Sequence, residues 1–142
     1  MLSEKLDELD LVERDLRYVL DREPNNPIAL NALGYILADR TTRYTEALQL
    51  IEKALALKPG DPAIMDSLGW VQFKLGRNQE ALQNLQRAYE IFPDDEIAAH
   101  LIEVHWSMQQ LRDAKAVYKS IRKQHDEHPL SDKTMQRLQL AP

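Results

Sequence analysis

The chain contains no cysteine. Disulfides, thiolate nucleophiles and cysteine-ligated zinc are thereby excluded, while the compartment stays open, because cysteine-free domains occur in all of them. Long apolar runs are missing too. No stretch approaches the ~18 residues that a membrane-spanning helix needs, so no direct membrane insertion is expected. Positive charge is in deficit: 18 Lys and Arg stand against 23 Asp and Glu, a net charge of −5. Non-specific attraction to nucleic acid or anionic lipid is therefore not expected. Glycine is scarce, with 4 in the chain, and runs of β-branched residues are few, which together argue for helices over strands. The opening MLSEKLDELD is acidic and helix-like, unlike a signal peptide.

What is present is enough for one compact soluble domain: 142 residues, 44% hydrophobic and 29% charged. Proline marks intervals along it, in PNNP (24–27), PGDP (59–62), PDDE (93–96) and EHPLSD (127–132). Asn26 and Asp61 are placed to cap helices that begin with Pro27 and Pro62, and Asp94 or Asp95 to cap the next. Weaker breaks at ADRTTRY (38–44), LGRN (75–78) and MQQL (108–111) divide each long segment, so the chain reads as a series of helix–turn–helix hairpins.

The hairpins repeat. Val12, Ala47, Ala81 and Ala114 recur 35, 34 and 33 residues apart. In the middle two copies each is followed by apolar or small residues four and seven on and a proline twelve on: Ile51, Ala54 and Pro59, then Leu85, Ala88 and Pro93. The same spacing gives Leu16, Val19 and Pro24 upstream, and Tyr118 and Ile121 downstream with the proline displaced to Pro129. Leu33-Gly34 and Leu68-Gly69 recur 35 apart. A period near 34, Leu-Gly in the first helix, Ala-x3-apolar-x2-Ala in the second and proline at the junction resemble the tetratricopeptide repeat, from about Leu11 to His128.

That resemblance implies an all-α fold, a right-handed superhelical stack of antiparallel hairpins with a C-terminal capping helix. The expected division is a single domain over 1–142. Residues 1–24 would be the second helix of an incomplete upstream repeat, 27–60 and 62–94 full repeats, 95–128 a degenerate repeat and 130–140 the cap. Close packing between the two helices of a hairpin accounts for Gly34 and Gly69, faced by Ala47 and Ala81. It offsets the roughly 1 kcal/mol that a glycine costs inside a helix. Gly76 suits a helix C-terminus where φ is positive. The third copy carries Ile102 and Gln109 at the positions of Gly69 and Gly76, so a splayed or looser hairpin is expected there. Leu2, Leu6, Leu11, Val12 and Leu16 give the first helix an apolar stripe that calls for a neighbour, either further repeats upstream or a second chain. Met135, Leu138 and Leu140 are expected to lie over the last hairpin.

In this family a stripe on the first helices lines a concave groove that binds peptides. The matching positions are Asn31, Tyr35, Ala38 and Asp39, then Asp66, Trp70, Phe73 and Lys74, then Ala99, Glu103, Trp106 and Ser107 with His100 beside them. The groove so formed is aromatic and mildly acidic, suited to a basic or apolar partner segment. The alternative is that Trp70 and Phe73 pack between neighbouring repeats, and Trp106, in the degenerate copy, reads as structural. Some family members grip a C-terminal carboxylate with Lys, Asn and Arg. Here only Asn31 and Lys74 are of that type and Asp66 and Ala99 replace the others, so that clamp is not expected.

No GxSxG, P-loop or HExxH motif occurs. His100 and His105, five apart on a helix, diverge by about 140° and do not form an i, i+4 metal pair. His125-Asp126-Glu127-His128 precedes Pro129 and reads as a solvated helix end. The expectation is a non-catalytic adaptor with no cofactor and no metal, binding a protein or peptide. The alternatives are a homo-oligomer formed through the N-terminal helix, or a regulatory subunit of a bacterial envelope protease or cell-wall enzyme. Neither cytoplasm nor periplasm is favoured.

Overall fold

The computed structural model describes residues 2–142, with side chains from residue 7 onward, so Leu2 and Leu6 lie outside the described side chains. The described residues form eight helices and no strand: α1 (Leu2–Arg22), α2 (Pro27–Arg40), α3 (Tyr44–Leu57), α4 (Pro62–Lys74), α5 (Asn78–Ile91), α6 (Asp95–Ser107), α7 (Leu111–Gln124) and α8 (Pro129–Arg137). The fold is all-α. None of these helices is long and apolar enough to cross a membrane.

The helix starts follow from side-chain capping. Asn26 Oδ1 accepts from the Ala29 N–H at 3.1 Å, and Pro27 opens α2 without wasting a donor. Asp61 Oδ1 accepts from the Ala63 and Ile64 N–H groups at 2.9 and 3.3 Å ahead of Pro62. At the third start Asp94 is the cap, accepting from the Ile97 N–H at 2.9 Å. Its neighbour Asp95 serves another helix: its carboxylate accepts from the Leu130 and Ser131 N–H groups at 2.7 and 3.0 Å, satisfying donors in the first turn of α8.

The helix ends show why Gly76 and Gln109 occupy matching positions. Gly76 has φ +80°, its N–H donates to Phe73 O at 3.0 Å, and the Arg77 N–H reaches back to Gln72 O at 2.8 Å. This is a Schellman turn, whose left-handed residue is best a glycine. After α6, Gln109 takes φ +61° and repeats both bonds, to Trp106 O and from Gln110 to His105 O. The turn is kept there without the glycine, at a backbone cost of about 1 kcal/mol. Gln139, at φ +58°, ends α8 in the same way.

The chain divides into two compact units, Met1–Gly60 and Asp61–Pro142. In the first, α2 and α3 form an antiparallel hairpin around Leu33, Leu37, Ala47, Ile51 and Ala54, all buried. A Cβ added at Gly34 would stand 2.5 Å from Ile51 Cγ1 and 3.1 Å from Ala47 O, so the hairpin closes only over a residue without a side chain. The α1 helix lies on α2 and buries Leu9, leaving Leu11, Val12 and Tyr18 exposed. An ion-pair network ties α1 to α3. Arg17 bonds Glu13 and Glu46, and Arg43 bonds Glu13 at 2.5 Å. The Arg43 hydrogen bond, followed by that of Arg17, holds the Glu13 carboxyl below its ordinary range.

In the second unit α4 and α5 pair as α2 and α3 do, with Gly69 against Leu85 and Ala81 O. The third hairpin is different. Ile102, at the position of Gly69, is fully buried against Ala114, Met135 and Leu138. A branched side chain at that point keeps α6 from closing onto α7 as tightly, and α6 shares its contact between α7 and α8. The cap begins at Pro129, ahead of where the sequence pattern suggests, because Asp95 fixes its first turn there. Leu140 packs against the same cluster as Met135 and Leu138.

Candidate partner-binding surface

The stripe residues fall on three helices. On α2, in the first unit, Asn31 and Tyr35 are half-buried and Asp39 is exposed. Asn31 Oδ1 is buried without a hydrogen-bond partner among the described residues, an arrangement that costs about 1–3 kcal/mol unless a donor reaches it.

In the second unit, Asp66, Trp70, Phe73 and Lys74 lie along one side of α4. They sit at i, i+4, i+7 and i+8, and α6 supplies His100 against them. The Trp70 indole stacks on the His100 imidazole with centroids 4.1 Å apart and planes 21° from parallel. It also lies beside Phe73, at 5.3 Å between centroids, and the Lys74 ammonium, 4.9 Å from its ring centre. Asp66 Oδ1 and His100 Nδ1 are 2.8 Å apart, and both residues are buried. Burial strengthens such a bond and locks both rotamers. The result is a layered, side-chain-fixed platform whose outer parts are Phe73 and Lys74.

Trp70 itself is only 5% exposed, so its indole packs between α4 and α6 and presents little area to a partner. Of the two readings open for Trp70, the packing one describes the side chain. Trp106, the other tryptophan of the stripe, is placed differently. It is 42% exposed at the end of α6, in a shallow recess with Ser107, Gln109 and Leu111, because the left-handed turn at Gln109 carries the chain away behind it. Glu103 is half-buried and held by Arg137 at the end of α8, which balances its charge.

The first turns of α4 and α6 frame a cavity of about 280 Å³ that the sequence stripe overlooks. Four carboxylate residues, Asp61, Asp66, Asp94 and Glu96, line it with Phe92 and Ile97, and among the described residues no Lys, Arg or His does. Phe92, the C-cap residue of α5, is 55% exposed. Glu96 stands one turn before His100, a spacing legible in the sequence once His100 is paired with a residue other than His105.

Two family models described as tetratricopeptide repeat match residues 25–94 and 72–138. The chain belongs to the tetratricopeptide repeat family. A curated tetratricopeptide repeat-containing protein of Pseudomonas aeruginosa is 55% identical over 103 residues, 72% of this chain. That stretch is 18% of the relative, so the chain spans less than a fifth of its length. Among solved structures, a thermophilic tetratricopeptide protein of Thermus thermophilus aligns over 96% of this chain and 76% of its own with a TM-score of 0.81 at 22% identity. MamA of Desulfovibrio magneticus gives 0.69 at 19% identity over 84% of this chain and 68% of its own. The Sgt2 domain of Aspergillus fumigatus gives 0.69 at 16% over 80% and 76%. These likenesses establish the helical-repeat fold. Tetratricopeptide repeats serve generally as protein–protein interaction scaffolds, and generally without catalysis.

Proposed function

We propose that this tetratricopeptide repeat protein is a non-catalytic adaptor that binds a basic or apolar segment of a partner protein along the first-helix stripe. Residues 27–60, 62–94 and 95–128 would be its repeats and 130–140 its cap. The observation that carries the reading is the platform of Asp66, Trp70, Phe73, Lys74 and His100. Its side chains are already fixed by stacking and a buried hydrogen bond, so a partner meets a surface with little entropy left to lose.

The test is capture from bacterial lysate and envelope extract, followed by anisotropy titration of the captured partner's basic or apolar segment as a labelled peptide. A Tyr35→Ala, Phe73→Ala variant should bind at least tenfold more weakly with its helicity unchanged. A Gln83→Ala, Arg87→Ala variant on the exposed side of α5 should bind as the parent does. Retention by the first and loss by the second would reject the stripe. A second reading rests on the exposure of Leu11, Val12 and Tyr18 on α1, which suits pairing with another copy of the chain. A mass that rises with concentration and falls to the monomer in Leu11→Glu, Tyr18→Glu would favour it.

A further inference from the structure

The geometry points to a divalent transition-metal site formed by Asp66, Glu96 and His100. It stands on these three residues and does not depend on the groove reading. Glu96 and His100 are four apart on α6, so both side chains emerge from one side of the helix a turn apart. Asp66, from the first half of α4, faces them. One donor atom from each of the three lies within 4.8 Å of the other two. Two of the three are more than nine-tenths buried, Asp66 at 5% and His100 at 7% exposure. The stacked Trp70 holds the imidazole plane fixed at 4.1 Å. A preoriented imidazole beside a buried carboxylate is a donor pair that loses little freedom on binding a cation.

The donor set selects the ion. One imidazole nitrogen and two carboxylates are too few and too nitrogenous for calcium, which takes six to eight oxygens, and they suit zinc, cobalt, nickel or copper. Donors held about 2.1 Å from a tetrahedral zinc stand roughly 3.4 Å apart. The Asp66–His100 pair, now at 2.8 Å, therefore opens by roughly 0.6 Å as the metal replaces the shared proton. Glu96, solvent-accessible and on a flexible stem, closes the third position. Asp61 and Asp94 line the adjoining cavity, so the field there favours a cation and leaves room for water or another ligand at a fourth position.

Zinc chloride titrated into the chelator-treated full chain by calorimetry tests this. One ion should bind per chain. Glu96→Gln, on a solvent-accessible side chain whose loss leaves the helix intact by circular dichroism, should weaken binding at least tenfold. His100→Gln should abolish it, and His125→Ala, His128→Ala should leave it unchanged. A second readout uses Trp106→Phe, which leaves Trp70 as the sole tryptophan. Copper(II) should quench its fluorescence at one equivalent, and a strong chelator such as EDTA should restore it. Absence of zinc binding up to about 100 μM, roughly −5.5 kcal/mol, would overturn the assignment. So would binding that survives both Glu96→Gln and His100→Gln, or that disappears only with His125 and His128.

Discussion

Replacing Gly69 by alanine sets helix propensity against packing, and the two have opposite signs. An exposed glycine in a helix interior gains about 1 kcal/mol on conversion to alanine. At Gly69 the new Cβ would stand 2.6 Å from Leu85 Cγ, 3.0 Å from Leu85 Cδ2 and 3.1 Å from Ala81 O. Carbon atoms in ordinary contact sit about 3.5–4.0 Å apart, so α5 must retreat by roughly 1 Å or Leu85 must leave its rotamer. Neither is easy, because Leu85 is fully buried against Leu101 and Val104 and the third contact is backbone. Overpacking of this kind costs about 1–3 kcal/mol. Set against the propensity gain, a net loss of about 0–2 kcal/mol is expected, which lowers Tm by up to roughly 8 °C for a domain of this size. Thermal and urea unfolding followed by circular dichroism would measure it. Leu85→Ala should cost about 2–5 kcal/mol alone, and at least about 1 kcal/mol less in the Gly69→Ala background, where the added methyl already occupies part of the space. A Gly69→Ala variant more stable than the parent, or strictly additive with Leu85→Ala, would refute the packing argument.

Three further outcomes are expected. Gln109→Gly should stabilise the chain by about 1 kcal/mol and raise Tm by roughly 2–4 °C, because glycine adopts the φ of +61° without strain; an unchanged or lower Tm would count against a strained turn. Glu13 has its pKa depressed below the ordinary 4.5 by Arg43 and Arg17, so its contribution is full above that value and is lost as pH falls through the folded pKa. The arginines are substantially exposed, and screening limits the network to about 0.5–1 kcal/mol. The urea midpoint of the parent should therefore exceed that of Glu13→Gln at pH 7, the gap should narrow as pH falls below 4.5, and a constant gap would contradict the linkage. Asp95→Ala should cost about 1 kcal/mol and speed amide exchange across residues 129–137, since it removes the acceptor for the Leu130 and Ser131 N–H groups; unchanged protection of α8 would show that its apolar contacts hold it alone.

The eight helices and their breaks were legible because each carries its own local signal. Asn26, Asp61 and Asp94 cap within three residues of the N–H groups they satisfy, and Gly76 adopts its positive φ from the turn alone. The glycine contacts were legible as well, since repetition at a period near 34 exposes a pairing that a single copy would hide. The candidate surface was legible only as a stripe. Helical spacing places Trp70 and Trp106 on similar sides of their helices, yet one is buried and the other exposed. The difference is the next helix: α6 lays His100 over Trp70, while the chain after Trp106 turns away.

The sequence by itself determined the helical character, the repeat near 34 residues and the resemblance to the family, because these rest on residues fewer than about forty apart that recur in register. The tertiary structure decided what depends on residues meeting across helices. It took Asp95 from the helix it opens and gave its carboxylate to α8. It paired Glu103 with Arg137, and it brought Asp66 to His100 and Glu96. Such meetings depend on the angle and offset between helices, which the volumes of packed side chains set, and no spacing along one helix encodes them.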